Sequence, residues 1–143
     1  MVFVDTSALV KLYVTEAGSE ALVARLDNQD VAISTLAWAE AHAAFGRLRR
    51  ERRLTEPAWS ALVSGFGADW GSFLRVPLDG ALDASIADLC RRHPLRGADS
   101  VQLASALFLA REGLDVTFAC CDQRLLDAAA AERLATFDPC APH

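Results

Sequence analysis

The chain opens on Met1-Val-Phe-Val-Asp5-Thr-Ser-Ala-Leu-Val10, the stretch that most constrains its fold. Val2, Phe3 and Val4 form a short β-branched and aromatic run that reads as a buried strand. The run ends in a carboxylate, and Thr6 and Ser7 follow as hydroxyl residues suited to capping a helix. Open α/β sheets place their chemistry where a strand ends and a helix begins. Asp5 is the only ionisable side chain between Met1 and Val10. A lone charge among apolar neighbours is costly to bury, so it needs a partner.

Three other acids repeat this situation. Glu40 is the only Asp, Glu, Lys or Arg from Val31 to Gly46, Asp99 from Ala98 to Ala110, and Asp122 from Val116 to Asp122. With 23% of the chain charged, four apolar segments holding one acid each and no base are unexpected. If the four meet without cations they repel, and some must take up protons. Hard divalent ions such as Mg²⁺ or Mn²⁺ let them stay ionised.

The 143 residues fit one domain, 1–143, with an ordinary core. No apolar run approaches the ~20 residues of a membrane span, and no basic segment precedes an apolar one as in a signal peptide. A cytoplasmic protein without a membrane partner is expected. The net charge of −5 argues against a surface coated in positive charge for nucleic acid, though not against a local basic patch. Cys90, Cys120, Cys121 and Cys140 show no C-x-x-C spacing, so no zinc motif is legible and they read as reduced thiols.

Short strands are predicted at Val2–Val4, Val31–Ile33, Leu74–Val76, Val116–Phe118 and Leu134–Phe137. Helices are predicted at 7–14, 16–26, from Ser34 or Thr35 to Arg50, from Thr55 towards Phe73, at 79–92, 99–112 and 122–131. This alternation defines an α/β fold, a central parallel sheet of short strands with helices on both faces. Asp5 and Asp122 then fall just past the carboxyl ends of strands, and all four acids can line one crevice.

These residues resemble the PIN domain, and within it the toxin nucleases of the VapC type. VFVDTSALV is similar to the family's first motif, Ala39-Glu40 in a helix to its second, GADSVQLASAL to its third and Cys121-Asp122-Gln-Arg-Leu125 to its fourth. The order and spacing match over nearly the whole chain. One departure stands out: Cys120 occupies a place where the family often has Ser or Thr. The resemblance implies an endoribonuclease using Mg²⁺ or Mn²⁺, with Asp5, Glu40, Asp99 and Asp122 as catalytic and metal residues. Thr6 and Ser7 would support them. It also implies a small antitoxin encoded next door, a toxin homodimer and a toxin–antitoxin complex. Hydrolysis by metal-activated water leaves a 5′-phosphate, since the ribose 2′-hydroxyl is not the nucleophile.

Plainer readings stand beside these. Asp99-Ser-Val-Gln102 fits a capping box in which Asp99 caps and Gln102 reaches back. Asp122 also suits an N-cap. Glu40 is mid-helix, where capping cannot explain it. Arg91, Arg92 and Arg96 lie upstream of Asp99 and are candidates to hold RNA phosphates. The Arg47–Arg53 run reads first as a solvated helix end. His42, His93 and His143 are too scattered for a histidine-based ribonuclease. Leu12, Tyr13, Trp38 and Phe45 are candidate anchors of an antitoxin groove. Two rivals remain. A haloacid-dehalogenase-type phosphatase wants an acid where Ser7 stands. A catalytically silent, protein-binding PIN-like module would usually have lost one of the acids.

Overall fold

Five short strands form one all-parallel sheet in the computed structural model, which describes residues 1–142 and leaves His143 outside the described residues. The strands are β1 (Val2–Val4), β2 (Val31–Ser34), β3 (Leu74–Val76), β4 (Thr117–Ala119) and β5 (Ala135–Phe137), in the order β3-β2-β1-β4-β5. Between them run α1 (Thr6–Leu9), α2 (Ser19–Leu26), α3 (Leu36–Arg50), α4 (Glu56–Asp69), α5 (Asp83–Arg92), α6 (Gly97–Arg111) and α7 (Gln123–Ala131).

The opening strand is central because it is apolar on both faces. Val2, Phe3 and Val4 are all 0% exposed, and the pleat sends them into two different cores. Val2 and Val4 join Ala8, Leu22, Ala41, Phe45 and Phe66 on the side of α1 to α4. Phe3 joins Leu89, Leu103 and Leu125 on the side of α5 to α7 and stacks on Phe118, ring centres 5.7 Å apart. Burying each such ring stabilises the fold by about 1.5–3 kcal/mol. The chain winds one way from β1 to β2 and β3, then returns to lay β4 on the other side of β1. That reversal opens a crevice at the carboxyl ends of β1 and β4.

Several element boundaries differ from the sequence reading. The first helix is a single α turn followed by a 3₁₀ turn at Val10–Leu12. The second starts at Ser19, not Glu16, because Gly18 stands at φ +92°. A Cβ there would meet the Pro139 carbonyl oxygen at 2.8 Å, so the close approach requires glycine. The α4 helix runs through Gly65 and Gly67, held by buried Leu62 and Phe66 and by the Thr55 hydroxyl, which accepts from Ala58 N at 3.2 Å. β4 sits one residue later than predicted. The 79–92 segment begins as a 3₁₀ turn, and α6 starts two residues before Asp99.

Candidate functional site

Asp5 leaves β1 and caps α1, with Oδ2 accepting from Ser7 N at 3.0 Å and Ser7 Oγ at 2.6 Å. Asp5 is therefore the cap, and the expectation that Thr6 or Ser7 caps this helix is corrected. Ser7 Oγ in turn accepts from Cys121 N at 3.1 Å, which ties the β1 and β4 loops together. Thr6 has a different task. Its hydroxyl donates to Glu40 Oε1 at 2.9 Å and accepts from Gln102 Nε2 at 3.0 Å.

Glu40 projects from the second turn of α3 and also receives Gln102 Nε2 at 2.7 Å. Gln102, only 1% exposed, is a site residue that sequence reasoning assigned elsewhere, as the return arm of a capping box. The cap lies three residues earlier. Asp99 is the third residue of α6, and its Oδ2 accepts from the backbone N of Arg96 at 3.1 Å. Asp122 caps α7, with Oδ1 accepting from Arg124 N at 2.9 Å and Leu125 N at 3.4 Å.

All four acids line one cleft of about 350 Å³, together with Thr6, Ser7, Arg47 and Arg96. Capping and cleft lining are thus compatible for Asp5, Asp99 and Asp122. Burial pushes the Asp5 carboxyl up, and the Glu40 charge adds to this against the Ser7 hydrogen bonds. Arg96 bridges Asp99 and Asp122, 3.5 Å from Asp99 Oδ2 and 3.7 Å from Asp122 Oδ2, with its side chain 73% exposed. Arg47 reaches the cleft from α3 and makes no ion pair among the described residues.

Arg91 and Arg92 are not brought to the cleft. They pair with Asp88 on the same helix, and Arg92 also reaches Glu132. The groove candidates divide as well. Trp38 is 42% exposed, Leu12 and Tyr13 are half-buried, and Phe45 is 0% exposed, edge-on to Phe66 at 5.5 Å. Phe45 is core rather than a surface anchor, because α4 closes over it.

Cys120 takes over the position where a hydroxyl was expected. Its sulfur accepts from Asp122 N at 3.2 Å and lies 3.6 Å from Asp5 Oδ2. The thiol is pushed up to about 12, first by burial and then by the Asp5 charge, so it stays a neutral donor beside the acid.

The donor set suits a hard divalent cation. Among the described residues, Asp5 Oδ1, Glu40 Oε2 and Asp99 Oδ1 accept no hydrogen bond and remain available. No three of the acids bring oxygens within 4.8 Å of one another among the described residues. Mg²⁺ keeps several waters and binds directly to only one or two carboxylates, so it does not require a tighter set.

Residues 2–131 match the PIN domain family model. The chain belongs to the PIN domain family. It is 39% identical over 126 residues to Ribonuclease VapC45 of Mycobacterium tuberculosis (strain CDC 1551 / Oshkosh), covering 87% of this chain and 86% of the relative. The crystal structure of FitAcB from Neisseria gonorrhoeae superposes with a TM-score of 0.71 at 22% identity, over 97% of this chain and 98% of that one. A toxin–antitoxin complex from Klebsiella pneumoniae gives 0.63 at 17% identity, over 97% and 98%.

Proposed function

We propose that the chain is a Mg²⁺- or Mn²⁺-dependent endoribonuclease, the toxin of a toxin–antitoxin pair. One observation carries the reading: Asp5, Glu40, Asp99 and Asp122, far apart in sequence, line one cleft at the switch point of the sheet. Similarity to a protein named a ribonuclease supports it. The four acids would hold the ion, one or two directly and the others through its waters, and it would supply Lewis-acid charge to the scissile phosphate and favour deprotonation of the attacking water. The chain's own residues prepare that chemistry. Ser7 and Cys120 fix Asp5, while Thr6 and Gln102 fix Glu40, so little reorganisation is needed when substrate arrives. Arg96 and Arg47 meet the RNA phosphates, with Arg96 exchanging its carboxylate partners for substrate oxygens.

An antitoxin helix is proposed to lie over Trp38, Tyr13 and Leu12, as an apolar helix in a groove. The likeness to a toxin–antitoxin complex supports such a partner, and the exposure of Trp38 beside half-buried Tyr13 and Leu12 supports its place.

The test is cleavage of single-stranded and structured RNA by the purified protein with Mg²⁺ or Mn²⁺, followed by mapping of the new ends. Internal cuts with 5′-phosphate ends that stop in excess EDTA are expected. Undiminished cleavage in EDTA, or 2′,3′-cyclic phosphate ends, would overturn the reading.

A further inference from the structure

Away from the acidic cleft a second group of donors converges. Cys121 Sγ, an Asp138 carboxylate oxygen and Cys140 Sγ all lie within 4.8 Å of one another, the two sulfurs 3.2 Å apart. The fold builds this cluster. β4 and β5 pair in parallel with Ala119 opposite Phe137, so the residues that follow them run side by side. Asp138 Oδ1 accepts from Cys140 N at 2.8 Å and turns the chain back towards Cys121. The neighbouring Pro139 carbonyl is packed against Gly18, where no Cβ intervenes. Sheet register, a side-chain turn and a close backbone approach therefore hold the three donors together.

We propose that Cys121, Asp138 and Cys140 form a binding site for one borderline divalent cation of the Zn²⁺ class. Two thiolates and a carboxylate are the donors such ions take, whereas Mg²⁺ selects oxygen alone. A tetrahedral ion with Zn–S bonds of about 2.3 Å places two sulfurs roughly 3.7 Å apart. A disulfide needs about 2.05 Å. The observed 3.2 Å lies between the two, with Cys140 donating to Cys121 as thiols and the Asp138 carboxylate beside them.

The charge left at the site is small. Two thiolates, one carboxylate and a divalent ion leave one negative charge. The Lys11 ammonium, with a side chain only 9% exposed, stands beside the thiols and pairs with Glu16 at 2.9 Å. Cys140 is exposed, so the ion has an entry path and a fourth position open to water. The lack of C-x-x-C spacing is no obstacle, because the donors come from two paired strand ends rather than one knuckle.

Binding releases two thiol protons and transfers no electrons, so no oxidant is required. Because Cys121 precedes Asp122 and its N–H holds Ser7, an ion here would stiffen the segment that carries one of the cleft acids. The site does not depend on the nuclease reading, because its readout is metal uptake.

The experiment is titration of the reduced protein with Cd²⁺ alone, then Zn²⁺ in competition, following the thiolate-to-metal charge-transfer band. One equivalent per chain is expected. Cys121→Ser and Cys140→Ser should each lose affinity by at least about 100-fold, more than typical outer-shell losses of 10–100-fold. Asp138→Asn should weaken binding by about 10-fold or more. Cys90→Ser should bind as the parent does. In the unmodified protein, bound Zn²⁺ should slow alkylation of Cys121 and Cys140 but not of Cys90, which keeps the test open if a variant misfolds. The proposal is overturned if Cys140→Ser titrates as the parent, if Zn²⁺ protects neither thiol, or if the two cysteines only form a disulfide.

Discussion

Gln102 Nε2 donates to Glu40 Oε1 across 2.7 Å, joining the second turn of α6 to the second turn of α3. The same amide donates to Thr6 Oγ1, which itself donates to Glu40, so three elements hold one carboxylate oxygen and leave the other clear. Gln102 lies under the cleft floor, where a hydrogen bond to a charged acceptor is worth about 1.5–3 kcal/mol.

Gln102→Leu keeps roughly the same volume and removes both donations. The fold is expected to lose about 1–3 kcal/mol. Cleavage should fall further, because Glu40 would then sample unproductive rotamers. Denaturant midpoints and single-turnover cleavage rates check both. A variant with parental cleavage would remove Gln102 from the site.

This bond also marks how far the sequence could be read. The four acids were legible because each interrupts an apolar segment alone, and the parallel sheet was legible from short β-branched runs alternating with helices, though the strand order was not. Gln102 was assigned to a local cap because its true partner is 62 positions away and no local pattern encodes it. Phe45 failed for a related reason. Its helix offers Trp38, Phe45 and alanines on adjoining faces, and only the packing of Phe66 from α4 decides which ring is covered. Cys121 and Cys140 likewise meet only through the β4–β5 register.

Asp5 holds its proton more tightly in the folded chain than at the reference value of 3.8, chiefly because of burial. A raised carboxyl stabilises the fold while protonated, and that contribution disappears as pH rises through the folded value. Metal-free protein should therefore lose stability upward from about pH 4. Asp5→Asn keeps an acceptor for Ser7 N and carries no charge. It should melt above the parent at neutral pH in EDTA and lack this loss. Calorimetry across pH decides it, and identical profiles would mean that the buried charge is not the source.

Asp99→Asn can still accept from Arg96 N, so its cap survives while its charge does not. Parent protein at a metal concentration 100 times Kd should gain about 2.7 kcal/mol of stability. The variant should lose most of that gain, and cleavage should fall by orders of magnitude. Had Asp99 only capped a helix, Asp99→Ala would cost about 1 kcal/mol with or without metal. Melting with Mg²⁺, Mn²⁺ and EDTA separates the two, an equal metal response in parent and variant leaving capping as the better account.

Arg96 and Arg47 face the cleft, whereas Arg91 and Arg92 are engaged with Asp88 and Glu132. Arg96→Ala or Arg47→Ala should weaken RNA binding and shrink the salt slope by about 0.7 per lost phosphate contact on single strands. Arg91→Ala should leave that slope unchanged. Binding to a non-cleavable RNA across a salt series measures it, and a reduced slope in Arg91→Ala would move the RNA path onto α5.

The partner groove is read from what α4 leaves uncovered. Trp38 stacks on Phe66 and meets Trp70 edge-on, with ring centres 5.4 and 4.9 Å away, and keeps 42% of its surface open. Tyr13 lies beside Phe66 and Phe45 and fixes its hydroxyl on Asp69 at 2.9 Å, a rigid half-exposed ring. Rings held this way lose little entropy on binding and are where interface energy concentrates. Trp38→Ala should weaken antitoxin binding by about 2 kcal/mol or more while free toxin cleaves RNA as before. Phe45→Ala tests the opposite assignment. It opens a cavity beneath the groove and should cost about 3–5 kcal/mol of folding stability, with any binding loss following from that. Calorimetric titration with the neighbouring gene's product, alongside melting of each variant, distinguishes them. Unchanged affinity in both Trp38→Ala and Tyr13→Ala would put the antitoxin on another face.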